Sequence, residues 1–151
     1  MDYFDRPEVG LNVLILDVQS KKTEFPELPE LSELVLSAGF LAKIVVTAIV
    51  DRPNPKWFVG KGKVNELKEI VASRDVHLLV VNCEISGAQH RNLEKVLGIR
   101  VITRTELIIF IFGERAKTSE GKLQVELAQL YHLQSRLAVS YTHLTLPTSD
   151  L

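Results

Sequence analysis

The stretch from Trp57 to Asn82, WFVGKGKVNELKEIVASRDVHLLVVN, holds the pattern that decides the fold class. Trp57-Phe58-Val59 reads as a short strand and Gly60-Lys61-Gly62-Lys63 as a turn. Val64, Leu67, Ile70 and Val71 then recur at the spacing of an amphipathic helix. His77 to Asn82 is an unbroken apolar, β-rich run, the pattern of a strand covered on both faces. A strand, a helix and a second buried strand in succession predict a parallel sheet with helices packed on it, because a parallel connection needs a crossover element.

Outward from this unit the same alternation repeats. Toward the amino terminus lie Asn12 to Val18 (NVLILDV), read as a strand, and Leu28, Leu31, Leu34 and Val35, read as a helix that stops at Gly39. A β-rich run from Ala42 to Val50 follows, and Pro53 and Pro55 then enforce a loop over Asp51 to Lys56. Toward the carboxyl terminus, Ser86 and Gln89 have capping-box spacing ahead of a helix through Leu93 to Leu97, closed by Gly98, and Ile99 to Ile102 reads as a further strand.

Beyond this the pattern changes. Leu107 to Phe112 (LIIFIF) is too short for periodicity to separate strand from helix. Leu123, Leu127, Leu130, Leu133 and Leu137 form a stripe for helical packing, and a helical 105–116 would bury its apolar face against that stripe as an antiparallel, coiled-coil-like hairpin. The tip of such a hairpin is Arg115-Ala116-Lys117-Thr118-Ser119-Glu120-Gly121-Lys122.

Bulk properties narrow the function classes. The chain has 151 residues, 46% of them hydrophobic and 25% charged, with a net charge of -1, which suits a domain with a real core and not a disordered chain. The charge is uneven: residues 1–51 carry four basic against nine acidic side chains, and residues 52–151 carry fourteen against ten. That asymmetry hints at a polyanionic partner for the later part. Cys83 stands alone, which rules out an internal disulfide and suits a reducing cytoplasm. The start of the chain lacks a signal pattern, and its apolar runs are far below the ~20 residues of a membrane span.

The chemistry-bearing candidates are few. Gly60 to Lys63, between a strand and a helix, reads either as a phosphate-holding turn of a small nucleotide-binding, ATPase-like domain or as a tight turn with solvated lysines, and no G-x-x-x-x-G-K-[ST] loop occurs anywhere. His77, His90, His132 and His143 are scattered without metal-ligand spacing, and no nucleophile-elbow serine is present, so neither a metal site nor a catalytic residue is assigned. Arg115, Lys117, Thr118, Ser119 and Lys122 form a donor-rich tip suited to phosphate contacts with folded RNA, although composition alone reads more readily as a solvated loop, or as a protein-binding surface. Arg52, Lys56, Lys61 and Lys63 are secondary basic candidates.

Several phrases together resemble the HflX family of ribosome-associated GTPases. Asn54-Pro55-Lys56-Trp57-Phe58-Val59-Gly60-Lys61-Gly62-Lys63, Ala88-Gln89 with Arg91-Asn92-Leu93-Glu94, Arg104-Thr105 with Ile111-Phe112 and Arg115-Ala116, and above all the run from Glu120 to Leu130 (EGKLQVELAQL) follow that family's order. Gly87, Thr103 and Phe110 depart from it, standing where proline, aspartate and aspartate are usual. The resemblance implies an α/β amino-terminal domain over 9–103 after a flexible start at 1–8, and a helical hairpin over 104–138. It also implies a following GTPase domain, absent here, that would hold GTP and magnesium. For the parent protein it implies GTP hydrolysis, association with ribosomal RNA of the large ribosomal subunit, and splitting or rescue of stalled ribosomes. The fragment itself is expected to be monomeric, without cofactor and without its own catalysis. Residues 139–151, where Val139 to Thr148 (VSYTHLTLPT) resembles a translated sequencing-adapter frame, are expected not to be native.

Overall fold

A computed structural model describes residues 10–25, 27–115 and 119–141, with the side chains at 119 and 135–141 outside the description. The expected flexible start at 1–8, and 142–151 of the expected adapter tail, also lie outside it. Four strands, β1 (Asn12–Gln19), β2 (Leu41–Ile49), β3 (Leu78–Val81) and β4 (Arg100–Thr103), form one sheet in the order β2-β1-β3-β4, and each neighbouring pair is parallel. The helices are α1 (Leu28–Ser37), α2 (Lys61–Ser73), α3 (Gly87–Leu97), α4 (Arg104–Arg115) and α5 (Ser119–Tyr141). The α/β architecture with flanking helices is therefore as the sequence predicts.

Strand side chains alternate between two faces, and both faces are covered, which is why the central strands are unbroken apolar runs. Leu14, Leu16, Val18, Leu79, Val81 and Val101 pack with Val64 and Leu67 of α2 and Leu93 and Leu97 of α3. On the other face Val13, Ile15, Leu78, Val80 and Ile102 pack with Leu31 and Val35 of α1 and Leu107 and Ile111 of α4. At the carboxyl ends of the strands Asn82 ties β3 to β1: its Oδ1 accepts from Val18 N at 2.8 Å, and its Nδ2 donates to Val18 O at 3.0 Å.

Local chemistry sets the helix ends. Ser86 and Gln89 form the expected capping box of α3, and Gly98 ends that helix in the left-handed region at φ 72°. Thr103 and Glu106 form a second such pair ahead of α4. The Thr103 hydroxyl accepts from Glu106 N at 3.3 Å, and Glu106 Oε1 accepts from Thr103 N at 3.2 Å. That cap resolves the ambiguous Leu107 to Phe112 run as helix. Thr103 thus caps α4, while Phe110 stacks on Phe40 with ring centroids 5.5 Å apart.

Two expectations need correction. Trp57-Phe58-Val59 is no strand: Phe58 sits at φ 67° and only an isolated bridge joins it to Asn54. These β-formers are apolar because Phe58 and Val59 are buried from an irregular loop. Second, the leucine stripe does not face α4. Leu123, Leu127 and Leu130 are 64%, 46% and 55% exposed, whereas Val125, on the opposite side of α5, approaches α4 so closely that a methyl group on Gly113 would lie 3.6 Å from it.

Candidate nucleic-acid interface

Asn54 organises the loop between β2 and α2. Its Oδ1 accepts from Lys56 N at 2.8 Å and Trp57 N at 3.2 Å, an Asx-type turn that matches the Asn-Pro sequence. Its own N–H donates to Phe58 O at 2.9 Å, and Phe58 N donates back to Asn54 O at 2.8 Å. Two side chains of α3 brace the loop from outside: Gln89 Nε2 donates to Asn54 O at 2.8 Å and Asn92 Nδ2 to Lys56 O at 3.0 Å. This bracing holds Phe58 in a left-handed conformation that costs a non-glycine residue about 1–2 kcal/mol. Ahead of the loop, Asp51 Oδ1 accepts from Lys21 N and the Ser20 hydroxyl, both at 3.1 Å, and these bonds hold the Asp51 carboxyl below its usual range.

The four basic residues singled out around this loop fare differently. Arg52 and Lys61 are exposed and make no ion pair among the described residues. Lys56 is also exposed, with its Nζ 4.6 Å from the centroid of the Trp57 ring. Lys63 is engaged by Glu66 at 2.7 Å. The Gly60 to Lys63 segment is thus the uncapped start of α2 and not a closed cradle, since side chains added at Gly60 or Gly62 would meet nothing within 4 Å.

A cavity opens at the carboxyl end of β1, beside the point where the sheet connections reverse direction and where open α/β folds commonly hold ligands. It is lined by Asp17, Glu24, Glu27 and Glu30 with Ser20, Thr23 and Phe25, and among the described residues by no lysine or arginine. A polyphosphate would meet Asp17, Glu24 and Glu27 there besides Glu30, which is paired with Arg104, and this acidic lining speaks against a nucleotide in that crevice. Among the described residues no group of three or more His, Cys, Asp or Glu is placed to hold a metal ion, and no helix is long and apolar enough to cross a membrane.

The α4–α5 end carries the other basic residues. Arg115 and Lys122 are exposed, and neither makes an ion pair among the described residues. Phe112 and Arg115 share a groove with Gly121, Gln124, Val125 and Ala128, so α5 runs back along α4. Lys117 and Thr118 lie outside the described residues, as does the Ser119 side chain.

The root of α4 is polar and buried. Both ring nitrogens of His90 on α3 face oxygens: Nδ1 lies 3.3 Å from Glu94 Oε1, and Nε2 meets the Val101 carbonyl, with Glu106 Oε1 3.9 Å away. At the same end Arg104 pairs with Glu30 in the first turn of α1. Farther along α4, Phe110 reaches Phe40, which immediately precedes β2. Helix α4 therefore runs from the carboxyl edge of the sheet to its amino edge, and Arg115 lies at the opposite end of the molecule from the 52–61 loop. Sequence reading missed Asn54, Gln89 and Asn92 as the residues that shape this loop; the Asn-Pro step was the one local signal.

Comparison with known proteins fits this architecture. The family model for the GTP-binding GTPase N-terminal region matches residues 26–113, and that for the GTP-binding GTPase Middle Region matches residues 115–150. The chain is 44% identical over 142 residues to the GTPase HflX of Escherichia coli strain K12, covering 93% of this chain and 33% of that protein. It is 46% identical over 132 residues to the GTPase HflX of Lacrimispora saccharolytica, covering 86% and 31%. The chain thus spans about a third of the length of these relatives. A GTP-binding protein from Sulfolobus solfataricus, solved in complex with GDP, shares the fold with a TM-score of 0.67 at 22% identity, over 87% of this chain and 40% of that one. With more than half of its residues matched by the first model, the chain belongs to the GTP-binding GTPase N-terminal family, the amino-terminal region of HflX-type GTPases.

Proposed function

We propose that this chain is the ribosome-docking module of an HflX-type GTPase, contacting ribosomal RNA of the large subunit through the α4–α5 end, in a cytoplasmic protein that splits or rescues stalled ribosomes. Arg115 and Lys122 hold the described part of that interface, and Lys117, Thr118 and Ser119 complete it. GTP and Mg2+ belong to the GTPase domain of the full-length protein, where hydrolysis would take place. The observation that carries the reading is the pair of exposed cations, Arg115 and Lys122, on adjoining ends of two packed helices, with no carboxylate taking up their charge among the described residues. Exposed cations on adjoining helix ends suit phosphate oxygens and release counterions when they bind.

Co-sedimentation with purified large ribosomal subunits over a salt series tests this. Binding should fall linearly on a log-log plot, and Arg115→Ala with Lys122→Ala should flatten the slope by up to about 0.9 for each phosphate no longer neutralised, taking the duplex coefficient as a guide. Binding that ignores salt, or a slope unchanged in the double variant, would count against the proposal.

A further inference from the structure

The buried polar network at the root of α4 has no part in the docking reading. The side chains of His90 on α3 and of Glu106 in the first turn of α4 are 5% and 6% exposed. His90 Nδ1 lies 3.3 Å from Glu94 Oε1, while Nε2 meets the Val101 carbonyl of β4 and lies 3.9 Å from Glu106 Oε1. Each carboxylate is in turn tied to β4. Glu94 Oε2 accepts from Val101 N at 3.0 Å, and Glu106 Oε1 accepts from Thr103 N at 3.2 Å and from the Thr103 hydroxyl at 3.3 Å. A neutral imidazole has one N–H, so either tautomer would turn a lone pair toward an oxygen here. The imidazolium ion, a donor at both nitrogens, satisfies both sides of the ring.

We infer that His90 is held as an imidazolium ion at neutral pH and acts as a pH-sensitive latch joining α3, β4 and the first turn of α4. Burial works against a charged ring, and the carboxylates work for it: Glu94 faces the ring from its own helix and Glu106 from α4. A carboxylate as buried as Glu106 gains in turn from a cation at its side. From β4 come the Val101 carbonyl and the Thr103 hydroxyl, which do not titrate in this range. The arginines nearest along the chain are Arg91, Arg100 and Arg104, the last paired with Glu30, and all three keep their charge throughout. Stability from the latch is therefore fully present below the ~6.5 of an ordinary histidine, and is lost as the pH rises through the higher value of the folded ring. Losing the proton removes the attraction to Glu106, whose other bonds form the cap of α4, so the first turn of that helix is where the latch opens.

The test uses the full 151-residue chain and two readouts, nitrogen NMR of the histidine rings and amide hydrogen exchange across a pH series. The series stays below pH 9, where Cys83 has not begun to titrate. At pH 7 both ring nitrogens of His90 should carry protons, with the signals assigned by their loss in His90→Gln. Amides of the first turn of α4, corrected for intrinsic exchange and referred to those of α2, should exchange roughly ten-fold faster at pH 8.5 than at pH 6 in the parent. His90→Gln keeps a donor but no charge, and should show no such change. His77→Gln serves as the control, because His77 also sits 2.9 Å from a carboxylate, that of Asp75, but at an exposed site away from α4; it should respond to pH as the parent does. A bare nitrogen on the His90 ring at pH 7, or an unchanged pH response of α4 in His90→Gln, would overturn the latch. If His90→Gln fails to fold, the ring signals of the parent, assigned through their contacts with Val101, decide the question alone.

Discussion

Cys83 shows how position decides the behaviour of a single side chain. It lies buried just after β3, and loss of water around the thiolate, followed by the negative charge of Glu84, pushes its pKa up from 9.0 to about 12. The folded protein binds that proton more tightly than the unfolded chain does. Stability from this group is therefore fully present below pH 9 and lost as the pH rises from 9 toward 12. At pH 8 the native thiol should resist iodoacetamide and react at the rate of a free cysteine only after unfolding; fast native alkylation, followed by mass spectrometry, would contradict the burial. Phe58 is the converse case, a side chain whose burial, together with the bonds of Asn54, fixes a backbone angle the residue does not favour. Nothing in Trp57-Phe58-Val59 as letters separates a strand from such a loop, because both bury β-forming residues.

Among the elements, the strands and helices of the α/β unit are legible in the sequence, since period and punctuation agree there: Ser86 and Gln89 open α3 and Gly98 closes it. The Thr103-x-x-Glu106 pair is an equally local signal for α4. The orientation of α5 is not legible in the same way, because a leucine period identifies an apolar face without naming what covers it. The side that meets α4 carries Gly121, Val125 and Ala128, and with Gly113 opposite these small side chains allow close approach. In this chain Leu127→Gln should therefore change the thermal unfolding midpoint by no more than a surface substitution does, within about 0.5 kcal/mol. Gly113→Leu should cost about 1–3 kcal/mol by overpacking the α4–α5 interface. Thermal melts followed by circular dichroism decide it, and a larger loss from Leu127→Gln than from Gly113→Leu would reverse the assignment of faces.

Across the whole molecule, the sheet acts as a spacer that sets two basic ends apart, with an acidic cavity at the carboxyl end of β1. The cations are readable in the sequence, but their sorting into opposite ends is not. It depends on α4 running from Arg104 beside Glu30 to Phe110 beside Phe40, contacts between residues far apart along the chain. The bracing of the 52–61 loop is hidden for the same reason, since Gln89 lies 35 positions from Asn54. The proposed docking of the α4–α5 end on ribosomal RNA is tested at the nucleotide level by tethered hydroxyl-radical cleavage. An iron chelate is attached to Gln124→Cys, a position lining the groove beside Arg115, while Cys83 stays inert because it is buried. Cleavage of large-subunit RNA should be confined to one short backbone region and abolished by Arg115→Ala with Lys122→Ala; no cleavage above that of the unmodified protein, on subunits shown to carry the tethered chain, would contradict the docking proposed here.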